Sequence, residues 1–310
     1  MLEEYALVPD VFDPAAYSNP AYADICLAHL KRPLLHEALV RDLRNGAWSR
    51  FCVAQAGFHR LAGEILRKLA TANRLHPCPA CGPEEPHDAA GWCKESLATS
   101  NIQPLTGVIA AHGTKAEGLF CRDARVASIE KLAGTNWWRN QESHRIRRET
   151  NEFLRLIARM LEQANSFMFI DPNLDPAAHN YREFHKLLAP LQSRNPRPLI
   201  ELHRSVRMGD GHDAEVLTEP QWRDRFRGLS AVLAPLGLSA QVFLWDDFHD
   251  RYLITDIIGV SVPAGFDTTR RPDDITTWSR LSPEDREKWQ RWYDPADAVR
   301  KLQFKIDIGA

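Results

Sequence analysis

The chain has 310 residues, 44% hydrophobic and 26% charged, a balance that fits a soluble globular protein of two domains or one large one and excludes an intrinsically disordered chain. A formal net charge of -2 excludes a global electrostatic pull on nucleic acid, so any such binding has to use local basic patches. No run approaches the ~20 apolar residues of a membrane-spanning helix, and the acidic start Met1-Leu2-Glu3-Glu4 lacks the basic-then-apolar order of a secretory signal, so the expected location is cytoplasmic.

Residues 1–145 are expected to form a mainly α-helical domain. Phe51, Ala54, Phe58, Leu61, Ile65, Leu66 and Leu69 recur at spacings of three and four, which predicts one amphipathic helix over Trp48–Asn73. All six cysteines (Cys26, Cys52, Cys78, Cys81, Cys93 and Cys121) lie before residue 122 at irregular spacing, the pattern of reduced thiols or metal ligands rather than a disulfide framework. In the Pro/Gly/Glu-rich loop from His76 to Gly91, Cys78-Pro79-Ala80-Cys81-Gly82 sets two thiolates close together, with His87 and Cys93 following. Cys78, Cys81, His87 and Cys93 are therefore candidate ligands of a tetrahedral structural zinc. Cys93 beside Trp92 has a second reading, a thiol in the core. Trp137-Trp138, beside Arg139, read as core packing, with a stacking or interaction surface as the alternative.

Residues 146–310 are expected to form an α/β domain. A helix over Arg145–Gln163 has Phe153, Leu154, Ile157 and Leu161 on its apolar face; its opening Arg145, Arg147 and Arg148 oppose the helix dipole and so meet solvent, an anion or an acidic partner. The apolar run Ser166–Ile170, stopped by Asp171-Pro172, predicts a buried strand. A helix over Tyr181–Gln192, a strand over Pro198–His203 and a helix over Glu219–Leu236 closed by Gly237 follow, then strands over Ala240–Trp245, Arg251–Thr255 and Val260–Pro263. This alternation predicts crossover units and a largely parallel sheet covered by helices. From Thr276 to Lys301, Trp278, Trp289, Trp292 and Tyr293 predict a last helix packed back onto the sheet.

The stretch His249-Asp250-Arg251-Tyr252-Leu253-Ile254-Thr255-Asp256 is the most chemically specific in the chain. On a strand, residues i and i+2 share a face, so His249 and Arg251 would project together: a nucleophile and a phosphate clamp at one substrate. Asp246 and Asp247 just upstream would repel a phosphate unless they turn away or pair with a cation. The spacing resembles the H-x-K-x4-D motif of the phospholipase D superfamily, with arginine in place of lysine and a single copy. His203-Arg204-Ser205, His179, His185 and His212 lack the spacing that would make a second. The resemblance covers residues 165–267, where the element order is similar to half of such an enzyme.

That resemblance implies a phospholipase D-like sheet with flanking helices, and roles for individual residues. His249 would be the nucleophile or the general acid, Arg251 the phosphate ligand, and Asp256 the residue that orients or charges a histidine, with no cofactor in catalysis. Asp171-Pro172-Asn173-Leu174-Asp175 is similar to a segment near the start of single-motif members, which makes Asp171 a candidate for substrate binding; a turn that merely ends the strand is the alternative. Val262-Pro263-Ala264-Gly265-Phe266-Asp267 stands where the family carries Gly-Ser-x-Asn and matches it only in the glycine; Asp267 is a second candidate substrate-binding residue. A single motif implies a homodimer in which each copy gives one histidine across a two-fold axis. The function so implied is a metal-independent phosphodiesterase acting on nucleic acid or another phosphodiester, above all a nuclease of bacterial defence or mobile elements. The competing reading is a catalytically inactive relative that binds a phosphate-bearing ligand or a protein partner.

Overall fold

The computed structural model describes residues 1–309 except 56–58, 114, 121, 139–141, 210–213, 270, 272 and 298. The chain divides into two compact units, residues 2–140 and 141–310.

The first unit is built on strands β1 (Glu3–Leu7), β2 (Ala38–Asp42), β3 (Leu75–Cys78), β4 (Gly107–Ala110) and β5 (Val126–Ser128). They pair in the order β3-β2-β1-β4-β5, every neighbour parallel. This corrects the expectation of a mainly helical first domain. Strands buried on both faces carry no polar-apolar alternation, and every residue of β2 and β4 is buried, so nothing in their sequence breaks the helical pattern around them. Helices α1 (Pro20–His36), α2 (Leu43–Gln55), α3 (Arg60–Thr71), α4 (Ala89–Ile102) and α5 (Lys115–Phe120) alternate with the strands. The helix expected over Trp48–Asn73 is thus two, α2 and α3, and its Phe58 lies outside the described residues.

Successive residues of β1 face opposite sides of this sheet, as the strand period requires. Tyr5 and Leu7 join Leu30, Trp48 and Ile65 in one apolar cluster, while Ala6 and Val8 join Cys93, Leu97 and Val108 in another. Trp137 and Trp138 pack beside Tyr5, with ring centroids 5.9 and 5.0 Å away, so the tandem aromatics belong to the core. Gly107 makes room for them: a Cβ there would stand 2.5 Å from the Trp137 ring.

The second unit runs β6 (Ser143–Arg147), α6 (Thr150–Gln163), β7 (Ser166–Ile170), α7 (His185–Leu188), β8 (Leu199–Ser205), β9 (Arg207–Met208), β10 (Glu215–Val216), α8 (Glu219–Leu233), β11 (Ser239–Trp245), β12 (Tyr252–Thr255), β13 (Gly259–Ser261), β14 (Ile275–Arg280), α9 (Pro283–Trp292) and β15 (Leu302–Gly309). Arg145 and Arg147, expected to open a helix, lie on β6, and α6 begins only at Thr150, so the basic run is never set against its dipole. The Thr218 backbone N–H donates to Gln221 Oε1 at 2.7 Å to fix the start of α8, and Gly237 at φ 60° ends the helical region that Ala234–Leu236 extends. The helix expected over Tyr181–Gln192 is broken into short pieces, of which α7 is one; Pro190 supplies no N–H to continue it.

The eight-stranded sheet has the order β15-β11-β8-β7-β12-β13-β14-β6. Only β7, β8 and β11 run parallel to their neighbours in that trio; β12, β13, β14, β6 and β15 pair antiparallel. The sheet is therefore mixed rather than largely parallel. Trp278 belongs to β14 and stacks on Phe153, whereas Trp289, Trp292 and Tyr293 pack against Phe243, Trp245 and Phe248 as a helix returned to the sheet should.

Candidate functional site

The carboxyl ends of β7, β8 and β11 fall side by side, because these three strands are parallel neighbours. Open α/β sheets place ligands at this end, where strand-end loops part from one another. A cavity of about 440 Å³ lies there. The β7 loop contributes Pro172 and Asn173, the β8 end contributes Ser205, Arg207 and Gly209, and the segment after β11 contributes Asp247, Phe248, His249 and Arg251.

His249 and Arg251 thus line one cavity, but not by the expected geometry. Both precede β12, which starts at Tyr252, so they come from an irregular segment and not from alternate positions on a strand. Asp250, between them, anchors that segment: its carboxylate accepts from Tyr293 Oη at 3.0 Å and pairs with Arg300, whose guanidinium lies 4.6 Å over the Tyr293 ring. His249 is exposed and lines the cavity. Arg251 is 28% exposed; its Nη1 donates to the His249 carbonyl at 3.4 Å, and its Nε stands 3.7 Å from Asp171 Oδ1.

Asp171 is not a substrate-binding residue, because it is fully buried. Its carboxylate accepts from the backbone N–H groups of Asn173 and Phe266, each at 3.0 Å, and from Tyr181 Oη at 2.8 Å. Burial pushes the carboxyl up from the usual carboxylate range, and these hydrogen bonds with the Arg251 charge oppose that push. Asp267 is also displaced from its expected role. It pairs with Arg148 and accepts from Asn180 Nδ2 at 3.3 Å, away from the cavity wall. Asp256 lies beyond the far end of β12, about 13 Å of strand from the cavity end. It accepts from the Asn165 backbone N–H at 2.9 Å and so fixes the entry to β7, not a histidine.

Two arginines that the sequence did not single out shape the site. Arg207 reaches the cavity from β9, where its N–H donates to Ser205 Oγ at 3.1 Å and its carbonyl accepts from Arg204 Nη2 at 2.8 Å. Arg204 is fully buried, 3.6 Å over the Trp222 ring, and its Nη1 also donates to the Leu174 carbonyl at 3.1 Å. It therefore ties the loop after β7 to β9, two walls of the cavity. Burial pulls its pKa down to about 9, which leaves it charged near neutral pH. The available signal was a cation at the end of a strand read as part of the sheet interior, where only a bound anion or a set of backbone carbonyls satisfies it. His203, beside it, is structural: it is buried against Phe243, and Trp245 Nε1 donates to its Nδ1 at 3.0 Å, which leaves Nε2 as the protonated nitrogen facing Glu201.

The residues lining the cavity thus include two arginines and a histidine, together with the acidic Asp247. Guanidinium forks match the oxygens of a phosphate, and an imidazole near neutral pH can attack phosphorus or protonate a leaving oxygen.

The proposed zinc ligands do not converge in the same way. Cys93 is on α4, fully buried among Ala6, Val8 and Val108, and burial raises its thiol to about 12. Cys78 ends β3 and Cys81 follows it in the loop, where the Cys81 N–H donates to Glu95 Oε1 at 2.9 Å. Among the described residues no group of three or more His, Cys, Asp or Glu side chains is placed to hold a metal ion. No helix among them is long and apolar enough to cross a membrane. No protein-family model matches the chain, and a search of curated proteins gives no significant match.

Proposed function

We propose that the second unit is a phosphodiesterase of the phospholipase D type, acting through His249 in the cavity at the ends of β7, β8 and β11. The observation that carries this reading is the presence of His249, Arg251 and Arg207 on the wall of one cavity. Arg251 and Arg207 grip the non-bridging oxygens of a phosphodiester, and the His249 imidazole attacks phosphorus or protonates the leaving oxygen. The resemblance at residues 249–256 supports His249 and Arg251; Asp256 has no part in the chemistry. A nucleic acid strand is the substrate class that fits a local cationic cavity in a chain of net charge -2, since the charge is focused where the phosphate enters.

Among the described residues His249 is the one histidine on the cavity wall. With a single motif copy, a two-histidine mechanism takes its second imidazole from another copy of the chain, in a two-fold dimer; His212 lies outside the described residues. The same observation supports a second reading, a site that binds phosphate-bearing ligands without turnover. Hydrolysis of bis(p-nitrophenyl) phosphate separates the two. The phosphodiesterase reading expects turnover that survives EDTA and vanishes in His249→Ala with the fold retained; tungstate binding without any turnover in the wild type supports the binding protein instead.

A further inference from the structure

We propose that Asp171 is a positioning residue that holds the Arg251 guanidinium for phosphate binding, and that this division of contacts is why position 251 carries arginine and not lysine. The proposal rests on the reading of the cavity as a phosphate site and adds the mechanism by which its clamp is set. Arg251 has three nitrogens and uses them in different directions. Its Nε faces the buried Asp171 Oδ1 at 3.7 Å, and Nη1 reaches the His249 carbonyl at 3.4 Å. Nη2 makes no hydrogen bond among the described residues, and Arg251 lines the cavity. A lysine carries its whole charge on one nitrogen, so an ammonium drawn to Asp171 is drawn away from the substrate.

Asp171 is built to stay in place. Tyr181 Oη and the Asn173 and Phe266 N–H groups hold its carboxylate from within the unit, and Arg251 is the cation paired with it. Gly265, at φ 71°, closes the space behind it: a Cβ at that position would stand 2.1 Å from Asp171 Oδ2. The glycine that the family resemblance could align but not explain therefore seats the carboxylate, and the carboxylate seats the arginine.

The test is calorimetric binding of tungstate, a tetrahedral phosphate analogue, to the full chain as wild type, Asp171→Asn, Arg251→Ala, the double variant and Arg251→Lys. Asp171→Asn should weaken binding by about tenfold, the scale on which losing a partner that orients a ligand-holding side chain acts. In the Arg251→Ala background it should have little further effect, because a residue that acts through Arg251 has nothing left to position. Equal losses in both backgrounds, or none, overturn the proposal. If Asp171→Asn does not fold, Arg251→Lys decides: a loss approaching that of Arg251→Ala supports the division of contacts, and affinity within twofold of wild type overturns it. A wild type that binds no tungstate removes the phosphate reading of the cavity and this inference with it, whereas binding without coupling removes the inference alone.

Discussion

Asp171, Asp256 and Asp267 have the same side chain and separate environments, and the environments assign their work. Asp171 is buried behind Arg251, Asp256 binds the backbone at the entry to β7, and Asp267 pairs with Arg148. Asp256→Ala should therefore cost stability by about 1 kcal/mol, the worth of a typical hydrogen bond, and leave hydrolysis of a generic diester unchanged; chemical denaturation and an activity assay on the same sample check both halves. Gly265→Ala should act the opposite way on function. A methyl group driven against Asp171 displaces the carboxylate, so tungstate affinity and turnover should both fall while the far end of the sheet stays folded. That His249 and Arg251 share a cavity was legible in the sequence, because two residues apart in one segment they cannot stand far from each other. The roles of the carboxylates were not, since sequence spacing cannot say which end of a four-residue strand an aspartate occupies.

Among the elements, β7, β8, α8 and β11 were legible because apolar runs bounded by turn residues and a capped helix carry local signals. The five-stranded sheet of the first unit was not. Its strands are short and enclosed, and what separates such a run from a piece of buried helix is its partners, which are distant in sequence. Antiparallel additions such as β14 and β15 were hidden by the same lack of local information about pairing. On β8, burial against β11 holds the His203 pKa below its ordinary value, with Glu201 opposing the shift. The unfolded imidazole titrates near ~6.5. Between that value and the lower folded one the unfolded chain binds the additional proton, so this contribution to stability is present above pH ~6.5 and is lost as pH falls. His203→Gln should consequently lower the melting temperature at pH 7 and show a shallower loss between pH 7 and pH 5 than the wild type. Parallel pH profiles in scanning calorimetry would contradict the assignment of His203 as a buried neutral group.

For the whole molecule, the proposed two-histidine chemistry would make assembly part of catalysis. If the second imidazole comes from another copy, mixing wild type with His249→Ala under subunit exchange should poison the mixed dimers, and an equal mixture should retain about a quarter of the activity, not half. A linear fall would mean that each chain works alone. Single-turnover hydrolysis of bis(p-nitrophenyl) phosphate by wild type, His249→Ala and Arg207→Ala in the presence of EDTA tests the role of His249 most directly. The cavity as described predicts cleavage by the wild type, none detectable in His249→Ala, and a slowing in Arg207→Ala of ~2–4 kcal/mol in the barrier, by analogy with a lost oxyanion donor. Undiminished cleavage by a folded His249→Ala variant would contradict it.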